Sequence, residues 1–206
     1  MKGGVRMKKV VIFGGNGFLG QEVIKKSLAK GYVVTSISRS GAPDIEDAWT
    51  TQVNWVQGDA FKPETWNKYL VADVVINTLG ILLPNRMQSY EKMNVQAAQI
   101  IAQEVAKHPH LQLIHISAKH FTKHLIKGYF DSKKRGERAV LKAVPTATII
   151  RPNFMYGPSR KGTTLEANLI NTWRKIPLVY QPIKGLQPQR VEDVAMEIVD
   201  SIGKDF

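Results

Sequence analysis

Cysteine is absent from the 206 residues. That excludes disulfide scaffolds, cysteine-ligated zinc, iron–sulfur clusters and cysteine nucleophiles. Acidic residues are scarce, with 17 Asp and Glu against 29 Lys and Arg, a formal net charge of +12. No run approaches the roughly 20 apolar residues of a membrane span. The longest candidate, Val74 to Leu83, contains Asn77, Thr78 and Gly80 and reads as a buried strand entering a loop. No import signal is visible either. Lys8 and Lys9 precede Val10, Val11, Ile12 and Phe13, but this apolar run is too short for a signal peptide and ends in glycines. Against these absences stand 43% hydrophobic residues and four tryptophans, enough for one well-buried α/β domain and little for a second.

Apolar runs of strand length alternate with stretches of helical period. Strands are expected at Lys9–Phe13, Val33–Ser38, Val53–Gln57, Val74–Thr78, Gln112–Ser117 and Ala147–Arg151. Between them, Phe18, Leu19, Val23, Ile24 and Leu28 make one helical face ending near Gly31. Pro63 and Glu64 open a short helix through Leu70, Met93 to Val105 line a longer one, and another runs from about Tyr129 to Leu141. Regular alternation predicts a doubly wound parallel sheet of six or seven strands with helices on both faces. Residues 1–158 form its core. Residues 159–206 are expected to be a short appendage, at most a vestigial lid on the same domain.

The first strand runs into Gly14-Gly15-Asn16-Gly17-Phe18-Leu19-Gly20, which opens the first helix. Glycines at 14, 17 and 20 suit a tight turn, close approach of a pyrophosphate and close packing of helix on strand. The helix N-terminus adds free N–H groups for phosphate oxygens. The second strand ends in Ser38-Arg39-Ser40 rather than an acid. A guanidinium flanked by hydroxyls suits a 2′-phosphate, so NADP(H) is expected over NAD(H); an arginine merely solvated at a strand end is the bland alternative. Asp59 is placed either to meet an adenine edge or simply to begin a turn.

A second constellation lies downstream. The fifth strand ends at Ser117, and Tyr129 and Lys133 sit one helical turn apart. Tyrosine serves as an acid or base at a carbonyl when a neighbouring ammonium favours its phenolate, and a serine hydroxyl can hold the substrate oxygen.

These stretches, with Asn94-Val95-Gln96-Ala97, Arg151-Pro152-Asn153-Phe154-Met155-Tyr156-Gly157-Pro158 and Val191-Glu192-Asp193-Val194-Ala195, resemble the short-chain dehydrogenase/reductase superfamily in its atypical or extended form. Within it the chain looks most like mitochondrial coenzyme Q biosynthesis reductase-like proteins and their plastid relatives. It is also similar to the NAD(P)H-binding accessory subunit of mitochondrial complex I. The resemblance implies a Rossmann fold, a mitochondrial location on the matrix side of the inner membrane, and a catalytic trio of Ser117, Tyr129 and Lys133. It also implies cofactor contacts from Gly14, Asn16, Gly17, Phe18, Leu19, Gly20, Ser38, Arg39, Ser40, Asp59, Ala60, Thr78, Gly80, Lys133 and Pro152. A catalytic reductase acting on a carbonyl or quinone and a non-catalytic subunit with a structural cofactor both fit this resemblance.

Lys119, Lys123, Lys127, Lys133, Lys134, Arg135 and Arg138 concentrate charge in one segment. They suit an anionic lipid surface or a membrane complex, or form a plain solvated face. Nucleic acid is not expected, because no recognition helix or aromatic-rich strand accompanies the charge. His120 and His124 lack a third ligand, so no metal is expected. Trp55, Trp66, Trp173 and Tyr180 read as packing residues. The sequence leaves substrate and oligomeric state open.

Overall fold

The computed structural model describes residues 6–119, 127–158 and 187–204. Strands β1 (Lys9–Phe13), β2 (Val33–Ser38), β3 (Val53–Gln57), β4 (Val74–Asn77), β5 (Gln112–Ile116) and β6 (Thr148–Ile150) form one sheet in the order β3-β2-β1-β4-β5-β6. Every neighbouring pair is parallel. The order reverses between β1 and β4, and in open parallel sheets ligands lie beyond the carboxyl ends of the strands at such a point.

Both faces of the sheet are covered, which is why the central strands β1 and β4 read as nearly continuous apolar runs, whereas β3 at the edge alternates and exposes Asn54 and Gln57. Val11 and Phe13 of β1 point towards α2 (Ala97–Val105) and α3 (Lys127–Ala143), and join a core containing Trp66, Ile101, Val105 and Val140. Val10 and Ile12 point the other way, towards α1 (Phe18–Ala29) and α4 (Val191–Asp200), and join Val23, Ile24, Val194 and Ile198. Each such fully buried aliphatic side chain contributes about 1.5–3 kcal/mol of transfer free energy. The C-terminal helix is thus part of the core, and a Lys30–Asp200 ion pair ties it to the end of α1. α1 stops where expected, followed by Gly31 at φ +74°.

Four sequence expectations need correction. The helix expected from Pro63 to Leu70 is instead two 3-10 turns, Pro63–Thr65 and Asn67–Tyr69. Trp66 interrupts them at φ −142°, because its ring is fully buried edge-on against Phe13 and its Nε1 donates to the Asp59 carbonyl. The helix expected from Met93 begins earlier, as a π-helical turn over Glu91–Gln96 that leads into α2. β4 and β5 end one residue early, and β6 is shorter at both ends. A short parallel pair, β7 (Met155–Tyr156) with β8 (Gln189–Arg190), escaped the sequence reading because two-residue strands carry no period.

Candidate cofactor and active site

The turn after β1 is built around Gly14, whose φ of +86° lies in the left-handed region. Its N–H donates to the Ile37 carbonyl at 3.1 Å, and its carbonyl accepts the Gly17 N–H at 2.9 Å. A Cβ on Gly20 would sit 2.2 Å from the Gly14 oxygen, so glycine there sets the close approach of α1 to the turn. A Cβ on Gly17 would meet that oxygen at 3.1 Å, while Gly17 itself is the N-cap of α1. The α1 N-terminus therefore faces a backbone cradle that side chains would fill, and the residues present fit a pyrophosphate. Leu19 turns into the core, and Phe18 packs near Gly157. Thr78 closes the rear of the turn, donating through Oγ1 to the Phe13 carbonyl at 2.7 Å.

Beside this cradle lies a cavity of about 470 Å³, bordered among others by Ser38, Arg39, Ser40, Asp59, Ala60 and Phe61. Arg39 is exposed at its rim, and among the described residues no carboxylate pairs with it. Asp59 does begin a turn, its Oδ1 accepting the Phe61 N–H at 3.0 Å, and it also borders the cavity. Its two sequence readings are therefore compatible.

Along the same carboxyl edge of the sheet, Ser117 follows β5 almost fully buried, its N–H donating to the Ile150 carbonyl at 2.8 Å. Lys133 reaches this strand tip from α3. It is 5% exposed, and its Nζ donates to the Ile116 carbonyl at 2.9 Å. Burial pushes its pKa down to about 8. Tyr129 lies half-buried one turn earlier on α3, its ring 6.2 Å from that of Tyr90. Gly80 crosses directly above the lysine, since a Cβ there would be 2.7 Å from Nζ. Pro152 is buried, and its carbonyl accepts the Lys119 N–H at 2.9 Å.

Behind this edge lie two buried polar groups: Asn94, which the sequence offers only within a matching stretch and with no role, and His115, which the sequence does not single out. Asn94, buried in the π-helical turn, accepts the Ile81 N–H through Oδ1 at 2.8 Å and donates to the Ile81 carbonyl and Ser132 Oγ. It thereby holds the loop after β4 against α3. Glycine at 136 lets α3 approach this turn closely, since a Cβ there would come within 2.1 Å of the Asn94 carbonyl. His115, 1% exposed, contacts Asn77 through Nδ1 at 3.2 Å, and its Nε2 has no partner among the described residues. Its pKa is pushed down to about 3, by burial first and then by the Lys133 charge. The available signal was a polar residue at an inward position of an otherwise apolar strand or helix.

The basic segment is less continuous than its sequence suggests. Lys133 turns inward, Arg135 pairs with Glu91, and only Lys119, Lys134 and Arg138 are exposed without an ion pair among the described residues. Lys123, His120, His124, Trp173, Tyr180 and the side chain of Lys127 lie outside the described residues.

Residues 14–172 match the NAD(P)H-binding family, a span that takes in the glycine turn and the strand tips described above. The chain belongs to that family. It is 30% identical to an uncharacterised chloroplastic protein of Arabidopsis thaliana, over 98% of this chain and 73% of that one. It is also 30% identical to MIOREX complex component 2 of Saccharomyces cerevisiae, over 74% of each. Identity with the mitochondrial NADH dehydrogenase (ubiquinone) 1 alpha subcomplex subunit 9 of Mus musculus is 28%, over 95% of this chain and 55% of the mouse subunit. Among solved structures, yeast methylglyoxal/isovaleraldehyde reductase Gre2 complexed with NADPH shares the fold at a TM-score of 0.70, with 17% identity, 95% of this chain and 74% of that chain covered. This NAD(P)H-binding protein therefore shares the fold of that NADPH-complexed reductase.

Proposed function

We propose that this protein binds NADP(H) and acts as a short-chain reductase on a carbonyl or quinone-type substrate. The observation that carries the reading is Lys133: an ammonium held 5% exposed at the strand tip, bonded to the carbonyl of the residue before Ser117, its one acceptor among the described residues. Keeping a lysine there costs folding free energy, and a role beside a bound cofactor and substrate accounts for that cost. In this reading the pyrophosphate rests on the turn of Gly14, Gly17 and Gly20, with Asn16, Phe18 and Leu19 shaping it. The 2′-phosphate meets Ser38, Arg39 and Ser40, and the adenine lies by Asp59 and Ala60. Thr78, Gly80 and Pro152 border the other half.

The nicotinamide supplies or accepts hydride when bound. The chain's own residues manage the proton and the oxygen. Ser117 Oγ donates to the substrate oxygen, Tyr129 delivers its phenolic proton to that oxygen as charge develops, and the Lys133 ammonium stabilises the phenolate left behind. Lys133's spare donors also suit the ribose hydroxyls. We place the protein in mitochondria, on the matrix face of the inner membrane, with a membrane complex or anionic lipid surface as partner and quinone metabolism as setting. Support comes from the mitochondrial mouse relative and from the exposed cations Lys119, Lys134 and Arg138.

The similarity to that same subunit, over 95% of this chain, favours one rival: an accessory subunit whose bound cofactor stabilises a docking surface. A ligand at 100 times its dissociation constant adds about 2.7 kcal/mol of stability. Turnover of NADPH with a panel of carbonyls and quinones separates the two. The reductase reading expects turnover that Tyr129→Phe reduces at least 100-fold while NADPH binding persists. Stoichiometric NADPH with no turnover in the wild type decides for the accessory role.

A further inference from the structure

We propose that Asn16 is a specificity-determining positioning residue, selecting the phosphorylated dinucleotide by holding the loop after β2 in a phosphate-binding shape. This rests on the NADP(H) reading above. The Asn16 side-chain amide lies in the glycine turn but is directed across to β2. Its Nδ2, with two hydrogens, donates to Ser40 Oγ at 2.8 Å and to the Gly41 carbonyl at 2.8 Å, and lies 3.1 Å from Ser38 Oγ. Those three groups bracket Arg39. The Gly41 carbonyl only accepts, which fixes the amide with its nitrogen facing the loop. Ser38 Oγ also donates to the Gly41 carbonyl at 2.8 Å, and the Gly41 N–H returns to the Ser38 carbonyl at 3.3 Å. Gly41 holds φ +69°, a conformation that closes the turn. From the opposite side, Gln57 Nε2 donates to the Arg39 carbonyl at 3.2 Å. The backbone on both sides of the guanidinium is therefore fixed before any ligand arrives.

The direction of these bonds matters for selectivity. Ser40 Oγ accepts from Asn16, which leaves its own proton to donate, and it makes no donated bond among the described residues. A phosphate group is an acceptor and a ribose hydroxyl is not restricted to that role, so one donor hydroxyl beside an arginine with no carboxylate partner among the described residues favours the 2′-phosphate. Charge alone does not produce this arrangement: without the amide, Ser38, Arg39 and Ser40 lose the side chain that, among the described residues, connects them to the phosphate turn. Asn16 thus couples the pyrophosphate and 2′-phosphate ends of the site, and the loss should fall on NADPH and spare NADH.

The test is calorimetric titration of the full-length protein and its N16A, S40A and R39A variants with NADPH and with NADH, each variant first matched to the wild type by circular dichroism. N16A is expected to weaken NADPH at least tenfold and NADH less than threefold. S40A is expected to show the same selectivity with a smaller NADPH loss, and remains informative if N16A does not fold. In the R39A background N16A should cost NADPH less than threefold, since both act through one loop. Equal weakening of both cofactors by N16A, or an unchanged NADPH affinity in S40A, overturns the proposal. A wild type that binds NADH as tightly as NADPH, with R39A indifferent, overturns the underlying NADP(H) reading. NADPH preference lost in R39A but kept in N16A and S40A overturns the Asn16 role alone.

Discussion

The Nζ of Lys133 donates a 2.9 Å hydrogen bond to the carbonyl of Ile116, the residue before Ser117. That bond pins the amine where desolvation disfavours its charge. Lys133→Met removes the buried charge at similar volume. With a folded-state pKa of about 8 against 10.5, the native state bears the full cost of the ammonium below pH 8 and none above pH 10.5. After allowing for the Ile116 carbonyl left unpaired, the variant is expected to gain about 2 kcal/mol of stability at pH 7 and lose at least tenfold in NADPH affinity. Urea denaturation and cofactor titration of one sample check both halves.

His115 gives a pH signature of its own. Its folded-state pKa of about 3 lies below the ordinary 6.5, so between those values the unfolded chain binds a proton that the folded one refuses. Stability is therefore lost as pH falls through that window, by about 2 kcal/mol from His115 between pH 6.5 and 5. His115→Gln is expected to flatten that part of the profile. A wild-type-like slope in the variant would assign the acid sensitivity elsewhere.

The two glycines of the phosphate turn should separate folding from binding. Gly20→Ala places a methyl 2.2 Å from the Gly14 oxygen and is expected to destabilise by about 2–4 kcal/mol. Gly17→Ala meets that oxygen at 3.1 Å, so its thermal midpoint should fall only a few degrees while NADPH affinity drops. Differential scanning calorimetry with and without NADPH distinguishes the outcomes.

Asn94 is expected to be costly to replace. Asn94→Leu leaves the Ile81 N–H, the Ile81 carbonyl and Ser132 Oγ without this partner. The expected destabilisation is about 3 kcal/mol, and amide exchange at Ile81 should accelerate. Unchanged protection at Ile81 would show that other contacts hold the loop.

The central strands from Lys9 and Val74 were legible because burial on both faces makes them nearly continuous apolar runs, those from Val33 and Val53 because β-branched and aromatic residues recur in short stretches, and the glycine turn because its glycines fall between a strand and a helix. Tyr129 and Lys133 were legible as a pair, since one helical turn is a local relationship. What the sequence concealed is non-local. Nothing in the chain order says that Asn94 meets Ile81, that Asn16 reaches Ser40, or that Lys133 turns inward while Lys134 stays exposed. The π-helical turn at Glu91–Gln96 packs against Gly136, 42 residues beyond Asn94 in the chain. The 3-10 turns around Trp66 likewise follow from a tertiary demand, burial of one indole against Phe13.

The most direct measurement is a side-by-side titration of the purified protein with NADPH and NADH. The account predicts one NADPH per chain, bound at least tenfold tighter than NADH, with the difference shrinking as salt screens the 2′-phosphate from Arg39. Absence of saturable binding by either cofactor, or tighter binding of NADH, would contradict it.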